Sequence, residues 1–238
     1  MYIFDAKFSP DGDMVILCSN ADEIYWYDWK SRLQLRVLRG DMGRITCTEF
    51  SPDHLITVSS AYSENIKLRD SNTGKVIRVL DGYGSWVNCL QFLADGQTLV
   101  SCSDCQFIDI WDVKSGAKVM EIEEEVKVIV RARPSPDGRY IVSCSNEKTI
   151  PVWDIKSGMK VQTLVGHLNF VTDVAFSSNE IIVSCSHDRT IRIWDVKSGQ
   201  EIQKLEGHIG PIAGIGISPD ENTIMSYTLN GEIGLWKW

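Results

Sequence analysis

Between residues 171 and 205 apolar and polar positions alternate in short bursts divided by polar turns. Val171–Phe176 (VTDVAF) runs into a Ser-Ser-Asn-Glu turn, and Ile181–Ser186 (IIVSCS) is rich in β-branched residues. After the tight polar turn His187-Asp188-Arg189, Thr190–Asp195 (TIRIWD) alternates with period two, the mark of a half-buried strand. Lys197-Ser198-Gly199 is a further turn, and Glu201–Leu205 a weaker fourth strand before Gly207-His208. The pattern predicts a four-stranded antiparallel meander. No stretch shows the three-and-four spacing of an amphipathic helix.

The same pattern recurs along the whole chain. Its endings fall at Asp28, Asp70, Asp112, Asp154 and Asp195, with Lys237 closing the series, at intervals of 42, 42, 42, 41 and 42 residues. A unit this short cannot bury its own apolar face, so copies must stack to make a core. Four-stranded units repeated about an axis make a β-propeller, which leaves only short protected edges. The expected architecture is all-β, one domain over residues 1–238, with six blades of four strands. The last blade lacks its outer strand, and an incomplete seven-bladed ring stays open as the alternative. A partner strand could also complete that blade by β-augmentation.

Composition narrows the partners. The chain has 43% hydrophobic and 24% charged residues and a net charge of −8. With no basic block to follow phosphates, nucleic acid is a poor partner. No apolar run is long enough for a membrane helix. Asp5, Lys7 and Asp11 make the start unlike a signal or transit peptide. Of seven cysteines, Cys18, Cys102, Cys144 and Cys185 share one repeat slot, as small buried hydrophobes would. They read as reduced thiols of an intracellular protein, cytoplasmic or nuclear.

Gly166-His167, Ser184, Asp188 and Trp194-Asp195 together resemble the signature of the WD-repeat propeller family. Other copies keep part of it: Trp111-Asp112 and Trp153-Asp154 retain the ending, whereas Tyr27-Asp28 and Arg69-Asp70 replace the Trp. Gly-His survives at Gly207-His208 and becomes Glu124-Glu125 before the fourth blade. The position aligned with Asp188 holds Glu147 in the fourth blade and Asn230 in the sixth. The resemblance implies that His167, Ser184, Asp188 and Trp194 form a buried hydrogen-bonded network. Only the fifth blade carries the full set, so the first two blades are expected to be softer.

Most of the tempting chemistry has a structural explanation. His167, Ser184 and Asp188 are the residue types of a hydrolase triad, but Ser184 sits mid-strand among apolar neighbours. Cys102-x-x-Cys105 resembles half a zinc site, yet no second pair completes it. No cofactor, metal or small-molecule substrate is expected. The acidic run Glu121–Glu125 is either a solvated loop or an acidic lip for a basic peptide.

Function is expected at one end of the blades. The residue before each first-strand core position is Tyr2, Arg44, Trp86, Val128, Phe170 or Pro211. Two places on, the same side carries Phe4, Thr46, Asn88, Val130, Thr172 and Ala213. Aromatics with an Arg are typical interface anchors, although the rings could instead plug the channel. The reading is a peptide- or protein-binding mouth anchored by Trp86, Phe170 and Arg44. Around them stand Tyr2, Phe4, Asn88, Val128, Glu124 and Glu125. The resemblance supports that face and a non-catalytic scaffold within a multi-protein complex. The Trp-Asp-x-Lys endings at Lys114, Lys156 and Lys197 leave a ubiquitin-ligase substrate receptor as the alternative, and a propeller hydrolase as a remote one.

Overall fold

The structure is a computed structural model that describes residues 3–19, 23–39, 45–61, 65–81, 86–126 and 128–238. Tyr2, Arg44 and the side chain of Phe4 lie outside the described residues. The elements among these residues are strands, grouped as six antiparallel propeller blades, five of four strands and a last of three.

Two compact units divide the chain, Met1–Glu121 and Ile122–Trp238. The first blade contains β1 (Ile3–Phe8), β2 (Met14–Ser19), β3 (Glu23–Asp28) and β4 (Leu33–Arg39). The second contains β5 (Ile45–Phe50), β6 (Ile56–Ala61), β7 (Ile66–Asp70) and β8 (Val76–Leu80). The third contains β9 (Val87–Phe92), β10 (Thr98–Ser103), β11 (Phe107–Asp112) and β12 (Lys118–Glu123), the unit boundary falling within β12. In the second unit, blade four has β13 (Ile129–Pro134), β14 (Tyr140–Ser145), β15 (Thr149–Asp154) and β16 (Lys160–Val165). Blade five has β17 (Val171–Phe176), β18 (Ile181–Ser186), β19 (Thr190–Asp195) and β20 (Glu201–Glu206). Blade six has β21 (Ile212–Ile217), β22 (Thr223–Thr228) and β23 (Ile233–Lys237).

Within each unit the core lies in the seams between successive blades. Val142, Cys144, Ile150 and Val152 of blade four pack on Val171, Val174, Ile182 and Trp194 of blade five. One seam further, Val183, Cys185, Ile191 and Ile193 pack on Ile212, Ile215 and Ile224. In the first unit Ile16, Cys18, Ile24 and Trp26 meet Ile45, Phe50 and Ala61. The recurring cysteine is therefore a seam residue. Removing each such Ile, Val or Leu from water contributes roughly 1.5–3 kcal/mol. Polar pins cross the same seams: Asp173 accepts Ile215 N–H at 3.1 Å and Arg133 Nη2 at 3.0 Å.

Two local features explain the period. Each ending Asp caps the turn that follows it. Asp28, Asp70, Asp112, Asp154 and Asp195 each accept the backbone N–H three residues on, at 2.6–2.9 Å. These Asx turns hold the carboxyls below their ordinary value. A β-bulge also opens every first strand, where Phe4, Thr46, Asn88, Val130, Thr172 and Ala213 are the extra residues. Simple alternation fails at such an insertion. Thr172, for example, is half-buried and donates to Ile212 O at 2.8 Å.

In four of the five capped turns the residue four places after the Asp is glycine with φ of 67–76°. Blade one has Arg32 there, at φ 60°. Left-handed backbone suits glycine, so Arg32→Gly is expected to stabilise the chain by about 0.5–1 kcal/mol. Thermal or urea unfolding checks this, and an unchanged or lower midpoint contradicts it.

Candidate partner-binding surface

A chain of buried donors fixes one end of blade five. Trp194 donates its indole N–H to Ser184 Oγ at 2.8 Å. Ser184 Oγ also meets His167 Nε2 at 2.8 Å, and His167 Nδ1 donates to Asp188 Oδ2 at 2.8 Å, since the carboxylate can only accept. Asp188 also accepts Leu168 N–H at 2.9 Å and the Thr190 hydroxyl at 2.7 Å. Burial pushes the Asp188 carboxyl up, but the hydrogen bonds from His167, Thr190 and Leu168 outweigh it and hold the group well below the usual carboxylate range.

Blade six holds the same relay with a substituted end. Trp236 donates to Ser226 Oγ at 2.7 Å, Ser226 meets His208 Nε2 at 2.6 Å, and His208 Nδ1 meets Glu232 Oε2 at 3.1 Å. The fifth blade is thus not alone in having a complete set. Glu232 stands two places beyond Asn230, and its longer side chain reaches back to the histidine. Blade four keeps Trp153 on Ser143 at 3.0 Å, and Ser143 donates to Glu124 Oε2 at 2.9 Å. Glu124 is only 6% exposed. It therefore fills the histidine's role inside the blade and offers no carboxylate to a partner, which corrects its place on the binding face. Glu125 is exposed. Burial raises the Glu124 carboxyl, against the lowering effects of Ser143 and Lys160.

The relays hold the loops beside them. Leu168 N–H is bonded to Asp188, and Ile209 N–H to Glu232 at 3.2 Å. His187 N–H donates to Phe170 O at 3.0 Å, and the two rings lie 6.1 Å apart. At this end of blades five and six, Leu168, Phe170, Ile209 and Leu229 are exposed, as is Pro211. Val128 in blade four is half-buried. In the first unit Trp86 is exposed at the loop position equivalent to Phe170, and the half-buried Asn88 donates to Asp104 Oδ1 at 2.7 Å. Leu168, Ile209 and Leu229 were missed by alignment on the strand cores. For Leu168 and Ile209 the signal was the apolar residue that follows each Gly-His pair, whereas Leu229 lies in the turn between β22 and β23.

The other chemical candidates do not converge. Ser184 is fully buried and both its neighbours in the relay engage its hydroxyl. Among the described residues, no group of three or more His, Cys, Asp or Glu is placed to hold a metal ion. All seven cysteines are free thiols. Burial pushes the thiols of Cys47, Cys144 and Cys185 up, away from the reactive thiolate form. Among the described residues no helix is long and apolar enough to cross a membrane.

The two buried carboxyls respond oppositely to pH. The depressed Asp188 contributes stability above its ordinary value of 3.8, and that contribution is lost as pH falls through the folded-state value. Asp188→Asn is expected to lose about 1–3 kcal/mol at neutral pH, with the deficit shrinking in acid. Glu124 has a raised value, so its contribution is fullest below 4.5 and falls as pH rises. Glu124→Gln is expected to melt higher than wild type at neutral pH and level with it near pH 4. Circular-dichroism melts across this range check both signs.

The family described as WD domain, G-beta repeat matches residues 74–112, 125–154 and 158–195. No curated protein matches the chain. Propellers of this kind generally serve as protein-interaction scaffolds and are typically non-catalytic. With the matched repeats, the six blades and the Trp–Ser–His relays together, this chain belongs to the WD-repeat β-propeller family.

Proposed function

We propose that the chain is a non-catalytic scaffold that captures a peptide or protein partner on the loops at the His167 end of its blades. One observation carries this reading. Leu168, Phe170, Ile209 and Leu229 stand exposed on loops whose backbones are hydrogen-bonded into or beside the buried relays. Contiguous apolar groups at a surface mark interaction sites, and groups already held in place lose little freedom when a partner docks. Trp86 occupies the matching loop position in the first unit and is assigned the same role. Contacts through Asn88, Val128, Glu125, Tyr2, Phe4 and Arg44 belong to this proposal as well. Seven free thiols fit a partner met in a reducing compartment, the cytoplasm or nucleus.

The test is an affinity pull-down from cell extract with identification of the bound proteins. Leu168→Ala combined with Phe170→Ala is expected to remove the specific partner while shifting stability by no more than about 0.5 kcal/mol, as exposed substitutions do. Trp86→Ala examines the first unit separately. Undiminished capture by the double variant removes the loop assignment. A collapsed melting temperature shows instead that these side chains are core.

A further inference from the structure

A cleft of about 410 Å³ opens between blades four and five, within the second unit. An antiparallel meander turns at two ends. The loops of the proposed docking surface share the end of the β18–β19 turn, where Asp188 meets His167. The cleft lies at the other end, beside the β17–β18 and β19–β20 turns, so it is a separate surface.

Its floor is apolar. Tyr140 and Val196 pack on the cluster that joins the two blades. Val161 is the extra residue of a β-bulge, set between Lys160 and Gln162, which pair with Trp153 and Val152. A bulge re-aims the inserted side chain, and Val161 is 52% exposed.

The polar lining is nearly all donor. Gln162 Oε1 accepts Thr163 N–H at 3.0 Å and Asn179 Oδ1 accepts Asp137 N–H at 2.9 Å, which leaves each amide its NH2 group. The Tyr140 hydroxyl and Lys197 Nζ make no hydrogen bond among the described residues. Arg139 lies over the Tyr140 ring at 4.8 Å, with Asp154 3.8 Å from its Nε. Against these side-chain donors the lining holds a single carboxylate, Glu180. An occupant that satisfies the cleft brings acceptors and negative charge on an apolar body.

We propose that this cleft binds a linear peptide in which an acidic residue adjoins an aliphatic one. The aliphatic side chain covers Val161 and Val196, and the carboxylate pairs with Lys197 and Arg139 through charge-assisted hydrogen bonds. The amides of Gln162 and Asn179 donate to the peptide's carbonyls. A peptide suits the site better than a free acid because Arg139, Val161, Asn179, Glu180 and Lys197 are all exposed. Sites for small molecules enclose most of the ligand surface, and a groove this open does not.

Fluorescence anisotropy tests this, with the full chain titrated into a labelled, end-capped peptide of sequence Ala-Val-Glu-Val-Glu-Ala. Wild type is expected to bind it saturably, and to bind Ala-Val-Lys-Val-Lys-Ala about tenfold more weakly or worse. Lys197→Glu reverses a charge at an exposed position and is expected to weaken binding by roughly tenfold with an unchanged melt. Arg139→Glu takes its place if that chain proves unfolded. Leu168→Ala combined with Phe170→Ala is expected to bind the peptide like wild type, since those residues belong to the other end. Free N-acetylglutamate is expected to compete far more weakly than unlabelled peptide. A wild type that does not bind the Glu peptide, or that binds both peptides equally, overturns the inference. So does a folded Lys197→Glu chain that binds like wild type. Loss of binding in the Leu168/Phe170 variant moves the peptide to the loops, and equal competition by N-acetylglutamate assigns the cleft to a small acid; either result also overturns it.

Discussion

The structure depends on the seam between one small sheet and the next. A four-stranded blade has two faces, both apolar in its middle strands, and can bury neither by itself. The seam solves this by laying Ile, Val and Cys of one blade against the Trp-bearing face of its successor, as Cys144 and Val152 meet Trp194 and Ile182. Dispersion and hydrophobic burial hold the sheets together, but they are non-directional. The polar pins supply the direction. Asp173 takes a backbone N–H from the following blade and a guanidinium from the preceding one, so neighbouring sheets cannot slide freely past each other.

The relays extend this control from the seam to the loops. In blades five and six each begins at the Trp, passes through a strand serine and a histidine, and ends at an acid that also holds a loop N–H, as Asp188 does for Leu168 and Glu232 for Ile209. A buried polar group left unpaired is costly, so the loop position follows from satisfying the core. Blade one shows the contrast. Leu17 and Tyr27 stand where blades three to six have Ser and Trp, and the buried Trp26 Nε1 has no hydrogen-bond partner among the described residues. The proposed docking surface is thereby tied to the interior: apolar loop residues in blades five and six are displayed on backbones that the core has already placed.

Much of the fold was legible because its signals are local. Period-two alternation sets strand faces, Asx turns need only an Asp and the residues after it, and a 42-residue period counts the blades. The site was less legible. Alignment on the strand cores found Phe170 and Trp86 but passed over Leu168 and Ile209. Their exposure depends on where the relays hold the loops. Alternation also assigned Thr172 and Asn88 to the channel side without sensing the bulge that inserts them. A bulge has no residue signature in these strands, since Thr, Asn, Val and Ala all occupy it.

The family resemblance implied that Trp, Ser, His and Asp belong together; by itself the sequence determined that this chain is a run of short antiparallel sheets and that its cysteines are packing residues. Those conclusions rest on spacing along the backbone, which is preserved in the fold. Only the tertiary structure decided that Glu232 completes a relay and that Glu124 lies inside its blade. Each of these turns on how far a side chain reaches and what lies opposite it, and the partners are 17 or more residues away in the chain, as Ser184 is from His167. Desolvation and reach are properties of the assembled neighbourhood, and no local pattern encodes them.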